Sequence, residues 1–168
     1  MGQMTNESLS PSTIFREAFR RHGAGLAIVT LLKPDGSPTG FTATSVASLS
    51  AAPPLATFNM SQTASSWSSM KPGAGVLIHF LAADSLELAQ TMAGEASARF
   101  AGDHWAPGPD GLPLLRGVSA WLHCEIVSTL EVEFAATVAV KIVGGDLEEA
   151  GRDPMVYFQR AYGRAVAL

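Results

Sequence analysis

The most constraining feature of this chain is a hairpin written into residues 26–45. Leu26-Ala27-Ile28-Val29-Thr30-Leu31-Leu32 is a short continuous apolar run, the pattern of a buried strand. Lys33-Pro34-Asp35-Gly36-Ser37-Pro38 follows at once. In that segment proline fixes φ and glycine supplies a positive φ, so the chain must turn back on itself. It returns through Gly40-Phe41-Thr42-Ala43-Thr44-Ser45 and continues into Val46-Ala47-Ser48-Leu49-Ser50. This second arm is predicted as one strand that carries hydroxyls where a core strand would carry branched apolar residues.

Similar punctuation organises the rest. Ala52-Pro53-Pro54 ends the second arm, Leu55–Asn59 is the next strand, and Val76–Leu81 is another, with His79 inside it. Ser119–Leu130 and Ala135–Val143 alternate as longer strands, the latter with Ala136, Val138, Val140 and Ile142 on one face. Gly144-Gly145-Asp146 reads as a turn and Met155–Phe158 as a last short strand. A helix is predicted from Ser10-Pro11, serine capping and proline at the first helical position. Ile14, Phe15, Ala18 and Phe19 share its apolar face, and it should end before Gly23. Trp67–Lys71 is read as a short helix closed by Pro72-Gly73, and Asp84 or Ser85 as the cap of a helix carrying Leu86, Leu88, Ala89 and Met92. Phe100–Gly117 is rich in glycine and proline and is read as a long irregular loop of the kind that often carries function. About seven strands joined by turns, without regular crossover helices, predict a mainly β antiparallel barrel with peripheral helices. The expected organisation is a polar tail over residues 1–10 and one domain over 11–168.

Composition narrows the function. The chain is 47% hydrophobic, 15% charged and carries a net charge of −4, with no Lys/Arg cluster, which argues against a nucleic-acid partner. Its one cysteine, Cys124, excludes an internal disulfide framework and fits a reducing cytoplasm. No apolar run reaches the ~18 residues of a membrane span, and the first residues carry neither a basic flank nor an apolar stretch, so no secretion signal is read. Low charge and abundant apolar strand faces point to a dimer.

Side-chain chemistry is sparse. His22, His79, His104 and His123 have no helical metal-ligand spacing, and no CxxC or HExxH occurs, so no metal site is assigned. There is no G-x-S-x-G, and Cys124 lies in an apolar strand where a thiol is inert. Gly23-Ala24-Gly25 and Gly73-Ala74-Gly75 do not extend to GxGxxG. No catalytic acid, base or nucleophile is assigned. What remains is a binding constellation: Thr42, Thr44 and Ser45 on one strand, Asn59 at the end of another, and a hydroxyl-rich turn with Ser61, Ser65 and Ser66 before a short helix. That helix start is either a phosphate seat or ordinary capping. Read together, the two segments describe a cofactor with a flat polar ring and a phosphate tail, whose own chemistry would account for the missing catalytic side chains.

At this point the chain resembles the flavin reductase-like, FMN-binding split-barrel family. The matching runs are Phe15-Arg16-Glu17-Ala18-Phe19, Gly25–Thr30, Gly40–Ser45, Ser48-Leu49-Ser50, Pro53-Pro54-Leu55, Arg99-Phe100-Ala101-Gly102, Gly111–Leu115 and Tyr162-Gly163-Arg164. The resemblance implies a six-stranded split barrel, a homodimer, and FMN (or FAD) held near the dimer interface. It implies contacts from Thr42, Ala43, Thr44 and Ser45, with Phe41 beside them, to the isoalloxazine and ribityl part. Asn59, Met60, Ser61, Ser65 and Ser66 would follow the ribityl chain to the phosphate, and Phe100 and Tyr162 would border the flavin. The implied activity is NAD(P)H-dependent flavin reduction, supplying reduced flavin to a partner monooxygenase. Three departures accompany it. Glu131-Val132-Glu133-Phe134 stands where relatives carry Gly-Asp-His, Tyr157-Phe158 where they carry Tyr-His, and Met60 where they place Lys or Arg beside the phosphate. Arg20, Arg21 and Arg99 are the candidate substitutes for that cation. The first two departures leave open an alternative: a flavin-binding barrel without NAD(P)H oxidation, such as a flavin carrier.

Overall fold

The computed structural model describes residues 9–147 and 151–168; most of the tail expected over residues 1–10 lies outside them. In chain order the elements are α1 (Pro11–Arg21), β1 (Ala24–Gly25), β2 (Ala27–Leu32), β3 (Pro38–Ala43), β4 (Ala47–Ala51), β5 (Pro54–Ser61), β6 (Gly75–Phe80), α2 (Leu86–Ala93), β7 (Trp105–Pro107), β8 (Pro113–Leu115), β9 (Ala120–Val132), β10 (Ala135–Leu147), β11 (Met155–Phe158) and β12 (Ala161–Arg164). A principal sheet runs in the order β3-β2-β6-β9-β10-β5-β4, and every recorded pairing is antiparallel. Two small sheets, β1-β11-β12 and β7-β8, complete the set.

The hairpin of β2 and β3 forms where the sequence places it, with Asp35 accepting from the Ser37 N–H (2.9 Å) and hydroxyl (2.6 Å) and Gly36 at φ 81°. The apolar run of β2 is continuous because both its faces are covered. Ala27, Val29 and Leu31 enter the core inside the sheet, with Phe58, Ile78, Ile126 and Val138. Leu26 and Ile28 enter a second core under α2, with Leu81, Met92, Leu115 and Met155. His79, fully buried, ties these layers together. Its Nδ1 lies 3.2 Å from the Ile28 carbonyl and its Nε2 accepts from the Leu115 N–H at 3.1 Å. Burial pushes its pKa down from 6.5 to about 4, so the ring is neutral at pH 7.

Several expectations are corrected. The single strand predicted over Gly40–Ser50 is two strands, β3 and β4, at opposite edges of the principal sheet. Thr44-Ser45-Val46 carries the chain between those edges, and the principal sheet of the expected split barrel counts seven strands. The join is held by Ser45, whose Oγ accepts from the Asn59 N–H (2.8 Å) and donates to the Asn59 carbonyl (3.3 Å). Gly144-Gly145-Asp146 does not turn the chain. β10 continues to Leu147, with a register shift between Ile142 and Gly144. Gly145 fits there at φ 150°, where an added Cβ would strike the Trp121 carbonyl. The long loop over Phe100–Gly117 contains the β7–β8 hairpin. The helix expected over Trp67–Lys71 is a single 3-10 turn, Trp67–Ser69. Helix α1 starts as predicted, Ser10 Oγ accepting from the Thr13 N–H at 3.3 Å. Its apolar face is not buried, however: Ile14, Phe15 and Phe19 are 53%, 61% and 61% exposed.

Candidate functional site

A cleft of about 730 Å³ opens beside the segment that joins the two sheet edges. One wall is the edge-to-edge segment, Thr44, Ser45, Val46 and Ala47, with Asn59 of β5. The opposite wall comes from α1, through Phe15, Arg16, Phe19 and Arg20, and from the end of β11, through Tyr157 and Phe158. The walls are positioned by two links: β1 pairs with β11, and the Gln159 N–H donates to the Arg20 carbonyl at 2.7 Å. Tyr157 is backed by Tyr162 in a T-shaped contact at 5.3 Å.

Strand alternation decides what each expected site residue presents. On β5, Ala56, Phe58 and Met60 point into the core, so Asn59 and Ser61 share the outer face. Asn59 Oδ1 accepts from the Thr137 hydroxyl at 2.8 Å, and Asn59 itself lines the cleft. On β3, Phe41 and Ala43 also pack in the core, Phe41 against Phe58 at 5.9 Å between centroids. Thr42 lies on the outer face with Gly40. Gly40 is closely packed rather than open to a ligand: an added Cβ would lie 2.7 Å from the Val29 carbonyl and 3.2 Å from the Phe100 ring. Phe100 and Tyr162, partly buried, pack against the second core. Thr44, Ser45 and Asn59 are therefore brought together at the cleft, and Tyr162 reaches it through Tyr157.

The hydroxyl-rich turn sits one step along the same face. Ser61 Oγ lies 2.8 Å from the Thr63 hydroxyl and accepts from the Thr63 N–H at 3.2 Å. Gln62 Nε2 donates to the carbonyls of Glu133 (3.2 Å) and Ala135 (3.0 Å), fastening the turn to the β9–β10 hairpin. Ser65 is exposed and Ser66 buried. A three-residue 3-10 turn has no appreciable helix dipole, so any anion affinity here comes from hydroxyls and N–H groups. The segment Glu131–Phe134 is the exposed end of that hairpin, with Glu133 at φ 52°. Phe158 lines the cleft itself. Of the candidate cations, Arg99 is committed to the carbonyls of Gly40 (2.7 Å) and Gly94 (3.0 Å), and Arg20 and Arg21 pair with Glu17 at 2.8 and 3.8 Å.

The cleft-lining residues that sequence reasoning did not single out include Phe15, Arg16, Phe19, His22, Tyr157, Phe158 and Arg160. Phe15 and Phe19 carried the signal of a core-facing helix stripe, which hid their exposure. Among the described residues no group of three or more His, Cys, Asp and Glu converges as a metal site, and no helix is long and apolar enough to cross a membrane. Cys124 is fully buried, and burial pushes its thiol up to about 12.

A mainly antiparallel split barrel with a hydroxyl-lined cleft beside the segment that joins its edges defines a class, and the chain belongs to it. Residues 19–165 match the flavin reductase like domain family. The chain is 34% identical over 158 residues to a protein named NADH:FMN oxidoreductase from Rhodococcus qingshengii, covering 92% of this chain and 82% of that one. It is 31% identical to the reductase component of a flavin-dependent trigonelline monooxygenase from Acinetobacter baylyi, covering 88% of this chain and 47% of the relative. Among solved structures, a flavin reductase domain protein from Arthrobacter sp. FB24 superposes with a TM-score of 0.87 at 44% identity, covering 94% of this chain and 97% of that chain.

Proposed function

We propose that the protein is an NAD(P)H-dependent flavin reductase that binds FMN in this cleft and supplies reduced flavin to a monooxygenase. The observation that carries the reading is the continuous polar strip from Thr44 and Ser45 through Asn59 to Ser61, on one face and bounded by aromatic rings. The volume lies within the roughly 300–1,000 Å³ of small-molecule sites. The donor set also fits: hydroxyls and an amide for a polar ring edge and a ribityl chain, with apolar Val46, Phe15 and Phe19 for ring faces. The flavin, when bound, supplies the hydride acceptor and the nicotinamide the hydride, so the chain need provide no acid or base. Its residues hold and shield. Thr44 and the Asn59 amide meet polar atoms, the Ser61 turn takes the phosphate with its hydroxyls, and the aromatic wall excludes water. Ser45 positions the strip, since its hydroxyl is spent on Asn59. Ala43 and Met60, whose side chains face the core, contribute through backbone groups.

The name of the Rhodococcus relative favours NADH and FMN, and that of the Acinetobacter relative favours a monooxygenase partner. We also read the active form as a homodimer. Leu130 and Val132 are 65% and 60% exposed, and register places them opposite Thr137 and Ala135, which themselves lie opposite Asn59 and Ser61. All six share one sheet face, so a second copy covering the apolar pair would border the flavin strip. The direct test is FMN titration followed by fluorescence quenching, with Ser45→Phe as the blocking variant. Wild type should quench and the variant should not. Equal quenching by both would remove the cleft from consideration. Flavin binding without turnover of NADH or NADPH would leave the reading of a flavin-binding barrel without NAD(P)H oxidation, a flavin carrier or a protein of another flavin-dependent reaction.

A further inference from the structure

The cleft has a second, cationic end that the flavin reading does not use. Arg16 of α1 and Arg160 of the β11–β12 turn both line it, both are exposed, and neither makes a side-chain ion pair or hydrogen bond among the described residues. Among the described residues the only carboxylate in the lining is Glu17, which is already shared by Arg20 and Arg21. This end is therefore a positive focus on a chain whose net charge is −4. The bond from the Gln159 N–H to the Arg20 carbonyl fixes the two basic segments relative to each other. The turn is also unusual in composition: Gln159 and Arg160 lie at φ 50° and 64°, where a two-residue hairpin normally uses glycine, asparagine or aspartate. The hydroxyl strip leads from the ring wall toward Ser61, in β5, whereas the arginines come from α1 and the β11–β12 turn. The arginine end of the cleft and the Ser61 turn beside it are thus two differently built seats for phosphate.

We propose that Arg16 and Arg160 bind the diphosphate of the dinucleotide co-substrate and so orient its nicotinamide toward the ring wall. They are positioning residues. The assignment rests on the flavin lying along the Thr44–Asn59 wall. Guanidinium groups suit it because they bind phosphate oxygens in pairs.

The test uses the full-length protein with FMN and NADH as probes. Arg16→Gln and Arg160→Gln should each raise KM for NADH about tenfold, with a larger rise in the double variant, while the Kd for FMN and the preference for FMN over riboflavin stay at wild-type values. Arg16→Lys should recover part of the loss. ADP-ribose, which carries the diphosphate without the nicotinamide, should compete with NADH in wild type and lose that competition in the double variant. Arg160→Gly should raise Tm, because it relieves the left-handed conformation, and still weaken NADH. Arg116→Gln, an exposed cation outside this cleft, should change none of these values. If the variants instead weaken FMN and erase its advantage over riboflavin, the arginines hold the flavin phosphate and the proposal is overturned, although the flavin cleft stands. Unchanged values throughout also overturn it. Failure of wild type to bind FMN defeats the reading on which it rests.

Discussion

Replacing His79 by glutamine should flatten the acid side of the stability profile. His79 is buried between β2 and β8, is satisfied only as a neutral ring, and has its pKa lowered from 6.5 to about 4 by burial. In the unfolded chain it takes up a proton near its ordinary value. Between about pH 6.5 and 4 the unfolded state therefore binds more protons than the folded one, and stability falls as pH falls through that window. At about 1.4 kcal/mol for each tenfold change in proton affinity, the difference between 6.5 and 4 is worth about 3 kcal/mol. The exposed carboxylates whose pKa is lowered do not blur this window. Asp35, held low by the Ser37 hydroxyl, and Asp84, held low by Arg152, lose their contributions only below 3.8. Glutamine can donate to the Ile28 carbonyl and accept from the Leu115 N–H without titrating. Urea unfolding at pH 7, 5.5 and 4 is the assay. The wild-type loss should exceed that of His79→Gln by about 3 kcal/mol, all of it above pH 4. Parallel losses in the two proteins would refute the buried neutral histidine.

Other outcomes follow from the same contacts. Ser45→Ala removes both hydrogen bonds to Asn59 and should cost about 1–2 kcal/mol of stability together with a weaker Kd for FMN, measured by unfolding and by quenching. Phe19→Ala should change stability by less than about 0.5 kcal/mol, because the ring is exposed, yet weaken FMN several-fold; a stability loss typical of a core phenylalanine would contradict the observed placement. Gly145→Ala should destabilise by about 2 kcal/mol through strain at its φ of 150° and the clash with Trp121, read as a shifted urea midpoint. Cys124, buried and with its thiol raised to about 12, should resist alkylation in the native protein and react fully in denaturant.

The barrel was legible where periodicity and turn chemistry agree. β2 announced itself as an apolar run because both its faces are covered, and Pro34-Asp35-Gly36 marked its return. β10 showed alternation over Ala136–Val140 because one face meets the core. The break at Thr44-Ser45-Val46 was not legible, since no proline or glycine marks it and its cause, the hydrogen bonds to Asn59, comes from a different strand. Gly144-Gly145 looked like a turn because a bulge and a turn call for the same residue. The β11–β12 hairpin turns on Gln159-Arg160, which carries no turn signal at all.

The site divides the same way. Thr44, Ser45 and Asn59 stand out as polar residues in strand-like sequence, and the structure joins them at one cleft. The facing wall comes from the two ends of the domain, united by the pairing of β1 with β11 and by the bond between Gln159 and Arg20. No local pattern encodes such a meeting. An exposed Phe15 or Phe19 reads identically to a buried one, because helical periodicity reports a shared face and not what covers it.

The central claim is that this cleft holds flavin for reduction by a nicotinamide dinucleotide. Anaerobic mixing of NADH with the protein–FMN complex, followed by the flavin's visible absorbance, tests it most directly. The account predicts full bleaching of the flavin with one NADH consumed per flavin, and no bleaching above the protein-free rate when Ser45→Phe replaces the wild type. Persistent oxidised flavin in the wild-type complex, or equal bleaching by the blocked variant, would contradict it.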